Sequence, residues 1–304
     1  DHVRYGRPGG ADLVMVAEQS FSWEELLMQI YGKETKRRWP KRLALLLLLL
    51  LVPLLVSSPK QMTATMVADS ENGTKVLILN YHKIDNTFIS LAVRPDDFES
   101  QMRYLSENGY HTISPDELYD SLAGTGELPD NPVMITFDDG YEDNYTNAYP
   151  ILKKYGFKAT VFVVTSFLDK KKKNYMTWDQ ARELDANGIS IQSHTVDHKS
   201  MTDLTDEQLR MELVDSKKKA EKELGHPVNY MAYPTGTYNL HIAQLVKEAG
   251  YKAAFTIKYG NVDKASNIYA LERVPIFHTE ETNKDFMERI RYTPIFERLG
   301  WIKS

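Results

Sequence analysis

Seven short apolar runs, separated by segments with helical spacing, constrain this chain more than any other feature of its sequence. They are KVLILNY (75–81), VMITF (133–137), KATVFVV (158–164), ISIQS (189–193), YMAY (230–233), AAFTI (253–257) and LERVPIF (271–277). Their brevity and their β-branched and aromatic content are those of strands. Between most of them the spacing is helical: Phe98, Met102 and Leu105 share one face, and Asn108 with Gly109 closes that segment. Thr177 with Gln180, and Thr205 with Gln208, form capping boxes at two helix starts, while Gly188, Gly225 and Gly250 stand where helices end. Strands joined through helices predict an α/β protein with a mainly parallel sheet, open or rolled into a barrel.

Upstream of the first strand the composition changes abruptly. Residues 43–56, LALLLLLLLVPLLV, contain no polar side chain, and Ser57 and Ser58 extend the uncharged stretch. The run is shorter than the roughly 20 residues of a full membrane span, and a cleaved signal-peptide core is the competing reading. A cleaved leader is normally brief, whereas about 42 residues precede this one. Lys33, Lys36, Arg37, Arg38, Lys41 and Arg42 mark its cytoplasmic side. The expected organisation is a cytoplasmic stub at 1–42, a transmembrane signal anchor at 43–58, a tether at 59–74 and an extracytoplasmic domain at 75–304.

The chain of 304 residues has no cysteine. A disulfide scaffold, a thiolate metal site and a cysteine nucleophile are therefore excluded, and any metal must sit on His, Asp or Glu. Lys and Arg number 37 against 42 Asp and Glu, a net charge of −5 that offers no general attraction to nucleic acid.

Parallel α/β folds gather their chemistry at the carboxyl ends of the strands. Three such ends are unusually polar: Asp138, Asp139 and Gly140 follow one run, His194, Thr195, Val196, Asp197 and His198 follow another, and His82 follows the first. A His-x-x-x-His pair plus one carboxylate makes a three-ligand site that leaves positions open. Such ligands suit zinc, and nickel, cobalt or iron would tolerate them. Adjacent aspartates point to opposite sides of an extended backbone, so one could ligate while the other faces the water to be activated.

TFDDG (136–140) and SHTVDH (193–198) resemble the first two motifs of the polysaccharide deacetylase domain, also called NodB homology or carbohydrate esterase family 4. NYHKI (80–84) and AYPTGTY (232–238) are similar to the subgroup that deacetylates poly-β-1,6-N-acetylglucosamine. The resemblance spans roughly 75–278 and implies a deformed (β/α)7 barrel, here with an N-terminal membrane-anchor helix. It implies Asp138 as general base and Asp139, His194 and His198 as ligands of one divalent cation. The backbone N–H of Thr235, after Pro234, matches the oxyanion donor. His82 is preferred as general acid, with His278, in a loose version of the family's Leu-x-His motif, as rival. Tyr141, Tyr233, Pro234 and Thr235 are the candidate substrate-binding residues. The family's third motif normally carries an Arg that partners the catalytic aspartate, and Ala232-Tyr233-Pro234-Thr235 lacks it.

The resulting expectation is a metal-dependent N-deacetylase of an extracellular N-acetylglucosamine polymer, with poly-β-1,6-N-acetylglucosamine first, peptidoglycan second and chitin oligomers third. A noncatalytic carbohydrate-binding protein of the same fold, and an amidohydrolase of small amides or peptides, are the alternatives. Glu142 and Asp143 are read as decoration of a helix start, His111, His226 and His241 as structural, and Lys170–Lys173 as a solvated loop.

Overall fold

A computed structural model describes residues 75–298, with side chains to residue 291. The expected stub, anchor and tether at 1–74 lie outside the described residues, as does the end of the chain from 299. Among the described residues no helix is long and apolar enough to cross a membrane.

The described residues open with β1 (Leu77–Tyr81), a small parallel pair β2 (Lys83–Ile84) and β3 (Ala92–Val93), and α1 (Pro95–Glu107). Then come β4 (His111–Thr112), α2 (Pro115–Leu122), β5 (Pro132–Phe137), a π-helical turn (Asn144–Ala148), α3 (Tyr149–Tyr155), β6 (Ala159–Val163), α4 (Thr165–Asp169) and α5 (Trp178–Ala186). The rest is β7 (Ile189–Ser193), α6 (Asp206–Leu224), β8 (Tyr230–Ala232), α7 (Leu240–Glu248), β9 (Ala253–Tyr259), β10 (Leu271–Pro275) and α8 (Thr282–Arg298). The strands β1, β5, β6, β7, β8, β9 and β10 pair in parallel around a ring that closes between β5 and β1. These are the seven runs of the sequence. Short β4 pairs with the start of β5, whereas β6 joins β5 only near its end, so β4 fills a gap in the wall. That wedge is the deformation of the barrel.

Side-chain parity divides the core. Leu77, Leu79 and Tyr81, Val133, Ile135 and Phe137, and Val161 and Val163 face outward, packed with Phe98, Met102 and Leu105 of α1 and Leu184 of α5. The alternate residues Ile78, Met134, Phe162, Tyr230, Phe255 and Leu271 fill the interior, joined by Leu118 of α2. Both expected capping boxes form: Thr177 and Thr205 each accept from the backbone of Gln180 and Gln208, and the glutamines accept in return. Gly225 ends α6 with φ 81°, a left-handed value that suits glycine.

Candidate metal centre and active site

The inward parity of β5 continues past its end, so Asp138 follows Met134 and Thr136 into the barrel, where it is 1% exposed. Its backbone N–H donates to the Tyr81 carbonyl at 2.9 Å. The guanidinium of Arg273, on β10, grips the carboxylate through both oxygens at 2.8 and 2.7 Å. Arg273 is itself fully buried, and also donates to the Thr256 carbonyl at 2.7 Å and to the Thr136 hydroxyl at 3.2 Å. Burial alone would raise the Asp138 pKa. Arg273, then His194, outweigh it and bring it down to about 2. The partner missing from the sequence after β8 is thus supplied from β10. Sequence reasoning overlooked it, although Arg273-Val274-Pro275 carries the Arg-x-Pro spacing of the family's third motif inside an apolar run.

Asp139 leaves the strand with φ 73°, which turns its side chain away from that of its neighbour. Its Oδ1 stands 3.4 Å from His194 Nε2 and 3.2 Å from His198 Nε2, and ligand atoms of all three residues lie within 4.8 Å of one another. His194 Nδ1 donates to the Ala232 carbonyl at 2.8 Å, an arrangement that turns Nε2 and its lone pair toward Asp139. Asp139 Oδ1 is buried and has no hydrogen-bond partner. An orphaned carboxylate oxygen facing two imidazole nitrogens is what a divalent cation satisfies, so the donor set fits one. Burial opposes the Asp139 charge, yet the two histidines override it and hold the carboxyl far below its usual range.

The ligand loop is tightly built. Thr195 and His198 both have positive φ, at 68° and 57°, which for non-glycine residues costs about 1–3 kcal/mol each and persists only where surroundings enforce it. The enforcement comes from Glu212 of α6, buried at 5% exposure, whose Oε2 accepts from the backbone N–H groups of Val196 and Asp197 at 2.8 and 2.9 Å. On the other side α4 donates from Thr165 and Ser166 to the carbonyls of Thr195 and Val196.

The structure gathers His82 with this group. Burial is the largest influence on its pKa and lowers it, against the pull of Asp138 and Asp139. Its Nδ1 is buried without a partner. His278 stands in a different setting: its ring packs against Phe88 at 5.1 Å and its backbone N–H donates to the Ser90 carbonyl. Tyr141 lies beside the centre, stacked on Tyr175 at 4.8 Å, with Lys83 Nζ 4.5 Å above its ring. Burial, with Asp139 close by, pushes its hydroxyl far above the ordinary phenol range.

Two expectations change. Tyr233 has the outward parity of Met231, so its fully buried ring belongs to the core under α7, where its hydroxyl donates to the Tyr269 carbonyl at 2.9 Å; it does not line a groove. Asp143 is no helix decoration. It is 8% exposed, pairs with Lys83 at 2.6 Å and accepts from the Ile84 N–H at 2.8 Å. Pro234 is buried and Thr235 is exposed with φ 56°, at a turn whose Gly236 lies so near Ile257 that an added Cβ would sit 2.2 Å from that side chain. His226 and His241 make surface pairs with Asp185 and Asp206, and His111 binds the Asp130 carbonyl. The lysine loop is exposed, with Lys172 resting over the rings of Phe167 and Tyr175.

A family model described as polysaccharide deacetylase matches residues 125–254. YxkH of Bacillus subtilis, provisionally named a polysaccharide deacetylase, is 38% identical over 207 residues, which cover 68% of this chain and 73% of its own. A poly-beta-1,6-N-acetyl-D-glucosamine N-deacetylase of Staphylococcus aureus is 29% identical over 230 residues, or 66% of this chain and 78% of that one. Among solved structures, the deacetylase PplD of Streptococcus pyogenes in complex with acetate aligns with a TM-score of 0.67 at 32% identity, over 71% of this chain and 98% of its own.

Proposed function

We propose that this chain, which belongs to the polysaccharide deacetylase family and is a polysaccharide N-deacetylase, removes N-acetyl groups from poly-β-1,6-N-acetylglucosamine outside the cytoplasmic membrane. One observation carries the chemistry: Asp139, His194 and His198 converge beside a second carboxylate, Asp138, that a buried arginine keeps ionised. The staphylococcal relative supports the polymer, and the apolar run at 43–58 with its preceding basic residues supports the location. In this reading residues 1–42 are cytoplasmic, 59–74 are a tether and 75–304 are the exported domain.

Asp139, His194 and His198 hold the cation, for which zinc is the first choice. When bound there, it supplies Lewis acidity toward the acetamide carbonyl and toward water. Asp138 is the general base. Arg273 keeps it charged across the neutral range and fixes the direction of its lone pairs. The N–H of Thr235 donates to the oxyanion that develops as the carbonyl is attacked. His82 protonates the leaving amine, a role supported by its place among the carboxylates and its unpartnered Nδ1. Tyr141 stands at the side of the groove.

The substrate assignment is tested by acetate release from three polymers under the same conditions. The expected result is the highest kcat/KM on poly-β-1,6-N-acetylglucosamine. A higher value on peptidoglycan or on chitin oligomers would replace that assignment while leaving the chemistry in place.

A further inference from the structure

We propose that the cavity beside His278 is a sugar subsite, which takes an N-acetylhexosamine unit of the polymer next to the one being deacetylated. The inference rests on the polymer reading above. The cavity has a volume of about 410 Å³, within the range of small-ligand sites, and is lined by Asn86, Thr87, Phe88, Arg94, Asp96 and His278, with Pro95.

Its place follows from the fold. His82 follows β1 and His278 follows β10, and these strands are neighbours in the barrel, so both histidines emerge at the same mouth. The loop between β2 and β3 carries Phe88 and is tied to His278 through the hydrogen bond from its N–H to Ser90. Phe88 is 92% exposed and rests on the His278 ring with the rest of its surface open. An uncovered phenyl ring at the rim of a groove is the surface on which the C–H face of a pyranose stacks. The polar groups suit the same guest. Arg94 and Asp96 are both exposed and of opposite charge, and Asn86 and Thr87 offer neutral donors and acceptors. A lining whose charges cancel matches an uncharged hydroxylated ring better than a phosphate or an amine.

The test measures how kcat/KM of the full, metal-replete chain grows from the dimer to the hexamer of β-1,6-linked N-acetylglucosamine. In Phe88→Ala the hexamer-to-dimer ratio should fall about five-fold, the worth of one aromatic stacking contact, and Phe88→Trp should restore it. Arg94→Ala should lower the ratio in the same direction. Hexamer binding is followed in parallel by calorimetry. Phe88-dependent binding without acetate release by the parent protein would leave the subsite standing and overturn the substrate reading. An unchanged ratio in both variants would overturn the subsite, as would absence of hexamer binding. So would an unchanged ratio with Phe88-dependent adhesion to phospholipid vesicles, which would make the ring a membrane contact.

Discussion

Asp138 carries a negative charge inside the barrel because Arg273, itself fully buried, meets both oxygens of a carboxylate that is only 1% exposed. Arg273→Ala leaves that charge buried and uncompensated, which costs about 3–5 kcal/mol of stability. Urea melts should show it, and kcat/KM should fall with it. The pH dependence has a definite sign. The Asp138 pKa is depressed from about 3.9 in the unfolded chain to about 2, so its contribution to stability is present above about pH 4 and is lost as pH falls toward 2. Arg273→Ala should therefore flatten the acid limb of the stability curve between those values, and an unaltered limb would contradict the pairing. At this scale the sequence was legible only in part. Asp138, Asp139, His194 and His198 stood out because TFDDG and SHTVDH, two motifs that resemble the family's, sit together at the ends of two apolar runs. Arg273 did not, because it lies within such a run and its partner is 135 positions away.

Helix α6 does more than cover the barrel. Glu212 holds two backbone N–H groups of the loop that carries His194 and His198. Glu212→Ala should weaken metal affinity about 10- to 100-fold, the usual effect of removing a group that orients a ligand, and cost about 1–3 kcal/mol through the unmet N–H groups. Competition with a chromogenic chelator would measure the first effect and thermal unfolding the second. Unchanged metal affinity would mean that the loop holds its shape without α6. Elements with strong local signals were readable in advance: the capping boxes at Thr177 and Thr205 formed, and the Phe98-Met102-Leu105 face packs against the barrel wall. Two-residue β4 was not readable, since no run marks it and only its pairing with β5 defines it. Tyr233 was misplaced for a related reason. Which side of a strand faces the groove depends on where the barrel sets the parity, and one strand alone does not say.

The closed ring of parallel strands was foreshadowed by seven apolar runs with helices between them, although whether the sheet stays open or closes depends on β5 meeting β1 across more than 50 residues. On the proposed location, the full chain should sediment with membranes, and a chain beginning at residue 59 should remain in the supernatant with its deacetylase activity retained. Recovery of the full chain in the supernatant would contradict the anchor. The most direct test of the whole account compares acetate release from poly-β-1,6-N-acetylglucosamine by the metal-replete parent chain, by Asp138→Asn and by His194→Ala, with bound metal measured in each. The parent should release acetate. Both variants should fall by at least about 10²-fold, with metal retained in Asp138→Asn and lost in His194→Ala. Parent-like rates in both variants would contradict it.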